Sequence, residues 1–133
     1  MDNETLARQF YAAFNTGNVD ILDDILAVDW ADRPAIPGQA PGPDGEKATI
    51  RAFRTAFPDV QFTLEDILVT ENKVAVRSTI HATHQGKFLG IAPTNRSVTF
   101  RTMDIHRIAE GRIAETWHLE DFYGLLQQIN ASL

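Results

Sequence analysis

The chain contains no cysteine, so it has no disulfide framework, no thiolate nucleophile and no thiolate metal ligand. That usage suits a reducing compartment. No apolar run approaches membrane-spanning length. The N-terminus, MDNETLARQF, is acidic and lacks an apolar core, which predicts no signal peptide and a cytoplasmic location. The twelve Lys and Arg form no dense cluster, and a net charge of −6 argues against nucleic acid and anionic membrane as partners. The four histidines are scattered with no His-x-x-x-His spacing, so no metal is expected. A phosphate loop, a dinucleotide fingerprint and a Gly-x-Ser-x-Gly elbow are all missing, and no cofactor is expected either. What remains is a chain of 133 residues, 44% hydrophobic and 23% charged, which is enough for a single domain (1–133) with one buried core.

Leu6, Phe10, Ala13 and Phe14 recur at helical spacing over residues 4–15, with Asn3 placed to cap them. After a break at 15–18, Ile21, Leu22, Ile25 and Leu26 predict a second short helix. Residues 31–45 hold four prolines and three glycines and read as a loop. A third helix is expected at 46–57, capped by Asp44, with Ile50, Phe53 and Phe57 on one face and Pro58 as its stop. The period then changes to two, giving strands at 60–70 and 73–84 around a Glu71-Asn72 turn. Residues 85–96 form an unusually apolar loop with Phe88, Leu89 and Ile91. Helices followed by strands indicate an α+β fold: three N-terminal helices over a curved, cone-shaped antiparallel sheet of four strands, enclosing a pocket, with a short helical tail from Phe122.

Residues 97–121 organise the sheet as a hairpin turning at Glu110-Gly111. If Ala109 and Arg112 flank the turn, strict alternation sets Ile108 opposite Ile113, His106 opposite Glu115, Asp104 opposite Trp117 and Phe100 opposite Asp121. One face then mixes Val98, Thr102 and Leu119 with carboxylates and an imidazole, which is the makeup of a small-molecule site. The other face carries Arg101, Met103, Ile105, Arg107 and Ala114, a mixture suited to self-association as a dimer or tetramer.

THQGKFLGIAPTNR, followed by MDIHRIAEGRIAETWHLEDFYGLLQQI and preceded by AFPDV, resembles the SnoaL-like polyketide cyclase family, whose fold is the nuclear-transport-factor-2-like α+β cone. The resemblance implies cofactor-free intramolecular aldol closure of a polyketide ester, with a small hydrophobic or aromatic carbonyl substrate. It also implies that Asp121 is the catalytic acid/base and His106 the pocket histidine. Two departures stand out. Asp32-Arg33-Pro34 replaces the His-Asp-Pro of many members, and Thr94-Asn95-Arg96 replaces Thr-Gly-(Lys/Arg), a turn that Asn tolerates.

Each candidate has a plainer reading beside the functional one. Asp121 also suits the N-cap of the last helix, and His106 also suits a core histidine bonded to Glu115. Asp104 is a pocket carboxylate or a solvated residue at the mouth, and Glu115 is read as structural. Trp117 stacks on substrate or simply fills core. His84, Phe88 and Phe100 are further substrate contacts, whereas His81 and His118 are read as non-catalytic and Asp32 as a surface turn. Rival functions are isomerisation, dehydration or hydrolysis on the same scaffold, and a non-catalytic ligand carrier or dimerisation module.

Overall fold

The computed structural model describes residues 1–130. The order is α1 (Asn3–Thr16), α2 (Ile21–Ile25), β1 (Leu26–Arg33), α3 (Pro43–Ala56), β2 (Gln61–Val69), β3 (Lys73–Thr83), β4 (Ser97–Ala109), β5 (Arg112–Glu120) and α4 (Phe122–Ile129). One sheet holds all five strands in the order β1-β5-β4-β3-β2. The β1–β5 pair is parallel, and the other three pairs are antiparallel.

The sheet therefore has five strands where four were expected, and the second helix stops at Ile25. Leu26, expected on that helix's stripe, instead opens β1. Leu26 and Trp30 are buried, and the Trp30 indole N–H donates to the Thr116 hydroxyl at 3.1 Å. A parallel partner some eighty-odd residues along the chain leaves little local periodicity in the sequence.

Capping is shifted by one or two residues at both long N-terminal helices. The Asp2 carboxylate, not Asn3, accepts from the Thr5 amide at 2.8 Å to cap α1. Asn3 instead donates to the Glu71 carbonyl at 3.1 Å. Helix α3 starts from Pro43 after Gly42, not from Asp44 as cap. Gly42 has a φ of 70°, and a Cβ there would meet the Val28 carbonyl oxygen at 2.3 Å. The β4–β5 turn has Glu110 at φ 52° and Gly111 at φ 75°, the two positive values a two-residue hairpin turn needs.

Two apolar clusters hold the helices to the concave face of the sheet. The first joins Leu6, Phe10, Leu22, Ile25 and Trp30 to Ile50, Val76 and Ile113. The second joins Phe57, Val60, Ile80, Val98 and Phe100 to Leu125 and Ile129. Phe62 packs against both, and between them the fold leaves a hollow.

Candidate active site

The hollow is a cavity of about 430 Å³, within the range of small-molecule sites. Phe10, Phe14, Phe53, Phe62, Phe88 and Phe100 supply most of its wall. Tyr11, Asp32, Glu46, Asp104, His118 and Glu120 supply its polar groups. An aromatic wall with so few polar groups gives those groups the low dielectric in which protonation equilibria shift.

A β-bulge decides which residues of β5 reach this cavity. Ile108 pairs with Ile113, as strict alternation requires, but Arg107 pairs with Glu115, leaving Ala114 without a partner. Beyond the bulge every β5 side chain is on the face opposite to expectation. His106 lies across from Thr116, Asp104 from His118 and Ile105 from Trp117. Thr116, His118 and Glu120 therefore point inward, while Trp117 (38% exposed) and Leu119 (76% exposed) point outward.

Asp104 stands at the end of a chain of hydrogen bonds running through the buried layer. The Tyr11 hydroxyl donates to Asp104 Oδ2 at 2.7 Å, and the Thr102 hydroxyl donates to Oδ1 at 3.0 Å. Because Tyr11 has only one proton to give, it must accept at its oxygen from His106 Nε2, 2.8 Å away. His106 Nδ1 then accepts from the Thr116 hydroxyl at 2.8 Å, which itself accepts from Trp30. Every donor is thus directed toward Asp104. Burial pushes the His106 imidazole down to about 3, so it stays neutral, as this pattern requires. Burial raises Asp104 to about 6 against the opposing bonds from Tyr11 and Thr102, and it raises the Tyr11 phenol well above its ordinary value.

Across the strand pair His118 lies between two carboxyl groups. Its Nε2 is 3.0 Å from Asp32 Oδ1 and 2.8 Å from the Pro34 carbonyl, and its Nδ1 is 2.6 Å from Glu120. Asp32 is held from its other side by the Gln39 amide at 3.0 Å. Burial alone would lower the imidazole, but bonds and charge from Asp32 and Glu120 outweigh it and push it up to about 11. His118 is therefore a fixed cation on the cavity wall, not on the other face where alternation put it. Asp32, expected at a surface turn, also lines the cavity, because β1 carries it there as the parallel partner of Thr116.

Glu46 was not singled out by the sequence. It is 4% exposed and lines the cavity from the first turn of α3. Burial, with the negative charge of Asp32, raises its carboxyl to about 8. The signal was present: Glu46 stands four residues before Ile50 on the stripe that continues to Phe53 and Phe57, where an acidic residue is out of place.

Of the residues anticipated as a site, Asp104, Phe88 and Phe100 line the cavity. His106 is fully buried behind it and reaches it through Tyr11. Asp121 is elsewhere. It is exposed and caps α4 by accepting from the Gly124 amide at 2.9 Å, because the bulge turns odd-numbered β5 positions outward. A Cβ at residue 124 would lie 2.4 Å from the Asp121 carboxylate, so the cap and that glycine go together. Trp117 faces outward for the same reason. Glu115 pairs with Arg33 and Arg107 on that outer face, not with His106. His84 is buried behind Phe57, with ring centroids 5.6 Å apart, and its Nδ1 accepts from the Thr94 amide at 3.2 Å. It anchors the apolar loop instead of touching the cavity, and Asn95 holds its turn at φ 60°.

A family model for SnoaL-like polyketide cyclases matches residues 5–129. Among curated proteins, the nogalonic acid methyl ester cyclase of Streptomyces nogalater is 26% identical over 89% of this chain and 90% of its own. The aklanonic acid methyl ester cyclase DnrD of Streptomyces peucetius is 25% identical over 93% of this chain and 88% of its own. Among solved structures, TsrD from Streptomyces laurentii superposes with a TM-score of 0.89 at 30% identity, covering 98% of both chains.

Proposed function

The chain belongs to the SnoaL-like polyketide cyclase family, and from that premise we propose that it closes a ring in a polyketide ester by an intramolecular aldol reaction. One observation carries the reading. Asp104, held by a hydrogen-bond chain through Tyr11, stands beside its cross-strand neighbour, the charged His118, on the wall of an aromatic cavity.

A carboxyl near 6 is mostly ionised at neutral pH and still basic enough to take a proton from a methylene flanked by two carbonyls. The C–H electron pair becomes the enolate, whose carbon bonds to a ketone carbon of the same molecule while the carbonyl π pair moves onto oxygen. The His118 imidazolium stabilises the negative charge developing on that oxygen. The phenylalanine walls fold the chain into a reactive conformer and exclude water. His106 acts as a positioning residue: it fixes the Tyr11 hydroxyl, which in turn aims Asp104.

The charge of the cavity supports an ester over a free acid as substrate. Three carboxylates, Asp32, Asp104 and Glu120, outnumber the His118 imidazolium and the exposed Lys87 among its lining groups, so a further carboxylate would be repelled. The two curated relatives are named for methyl esters, and such an ester is the first substrate to test. Asp104→Asn is expected to lower turnover by roughly 10²- to 10⁴-fold while the fold is retained. Full turnover in that variant rejects the assignment. A product of unchanged mass with one ring more identifies cyclisation, whereas loss or gain of water points to a dehydratase or hydrolase.

A second copy of the chain is the partner the outer sheet face fits best. Leu68, Ala75, Ile105 and Trp117 form one row across four strands, with Met103 and Leu119 beside it. Most of these large apolar side chains are strongly exposed, which is the anatomy of an interface core.

A further inference from the structure

Glu46 is the one cavity carboxyl whose side chain receives no hydrogen bond from any described residue. The charge of His118 favours its ionised form, but burial and the negative charge of Asp32 outweigh it. His118 has committed both ring nitrogens to Asp32, Glu120 and the Pro34 carbonyl. Apart from Lys87, the other titratable groups lining the cavity with it are Tyr11 from α1, Asp32 from β1, Asp104 from β4 and Glu120 from β5, none of them a cation. Lys87, from the apolar loop, lines the cavity but is exposed to solvent. A buried carboxyl so placed keeps its proton, and its O–H then needs an acceptor. The only space it faces is the cavity.

We propose that Glu46 donates its carboxyl O–H to an oxygen of the bound substrate and transfers that proton to the alkoxide formed on ring closure. The transfer step rests on the cyclase reading above; the hydrogen bond to a ligand carbonyl does not. The protons balance without a co-reactant. Asp104 receives the methylene proton, the new carbon–carbon bond forms, and the former ketone oxygen takes the Glu46 proton as the Glu46 O–H bond breaks. The enzyme is left with Asp104 protonated and Glu46 ionised. With the two groups near 6 and near 8, the proton returns from Asp104 to Glu46 downhill through water once product leaves. A neutral acid on the wall gives a carbonyl or ester oxygen a donor that an ionised carboxylate could not.

Infrared spectroscopy with 2-acetonaphthone, a neutral aromatic ketone, tests the hydrogen bond directly. The wild type minus Glu46→Gln difference spectrum is expected to show a protonated carboxyl band at pH 7 that disappears as the pH passes about 8. The ketone stretch of the bound probe should lie lower in the wild type than in Glu46→Leu. No acid band at pH 7, or the same ketone stretch in both proteins, overturns the proposal. In turnover assays with a polyketide methyl ester, Glu46→Gln is expected to lose about 10²-fold in kcat with KM within a few-fold, because the amide hydrogen-bonds but gives up no proton. A kcat within twofold of the wild type overturns the transfer step. If the wild type closes no ring on such esters, the cyclase reading fails while the infrared result still decides whether Glu46 binds a carbonyl.

Discussion

At the scale of single residues, the site is governed by what burial and neighbouring charge do to Tyr11, Glu46, Asp104, His106 and His118. Asp104 must be ionised to act as base, so activity is expected to rise as pH climbs through about 6. If Glu46 is the acid, activity falls again above about 8, giving a bell-shaped profile whose alkaline limb is missing in Glu46→Gln. His118 stays charged across that range and adds no limb of its own. Stability follows the same carboxyl with a definite sign. A native value raised from 4.5 to about 8 means that the folded chain holds a proton the unfolded chain has released. Between those limits the wild type therefore loses stability as pH rises. Urea titrations at pH 5 and pH 8 should show a smaller loss for Glu46→Gln, and equal losses would show that Glu46 is ionised in the native state. Asp121 carries the opposite expectation. As a solvent-facing cap, its change to Ala should cost about 1 kcal/mol and leave turnover intact. A collapse of activity in a folded Asp121→Ala protein would return it to the chemistry.

Among the elements, β5 shows how one residue redirects a site. The hairpin turn, both of its strands and the Ile108–Ile113 pair are legible from period and turn chemistry. Ala114 is not, because a bulge leaves composition and alternation almost unchanged while reversing the faces that follow. That single insertion puts His118 and Glu120 in the cavity and removes Trp117 and Asp121 from it. Deleting Ala114 is expected to leave a regular ladder in which Glu115 follows Ile113, still lies opposite Arg107 and keeps its pairs with Arg33 and Arg107. His118 and Glu120 then stay in the cavity and the cost in urea unfolding should be no more than about 1 kcal/mol, whereas a loss of several kcal/mol would mean that the faces had reversed. Strand β1 was hidden for a different reason. Its partner lies at the other end of the chain, and the bonds of Trp30 to Thr116, Arg33 to Glu115 and Asp32 to His118 disclose where it belongs.

For the whole molecule, the helices cover the concave face of the sheet and leave the convex face bare. Among the described residues no helix is long and apolar enough to cross a membrane. The outer patch of Met103, Ile105, Trp117 and Leu119 is the face proposed above to meet a second copy. Light scattering is expected to give twice the chain mass. Leu119→Glu should bring it to the chain mass without loss of secondary structure, and a wild-type monomer at micromolar concentration would count against the pairing.

The sequence by itself determined the class of fold, most of the helices and strands, the place of Phe88 and Phe100 at the cavity, and the family, because these rest on periodicity and on short motifs read locally. Tertiary structure alone decided which carboxyls share the cavity. Asp32, Glu46, Asp104 and Glu120 come from four different elements, and a carboxyl becomes an acid, a base or a cap according to the neighbours and the solvent that folding gives it.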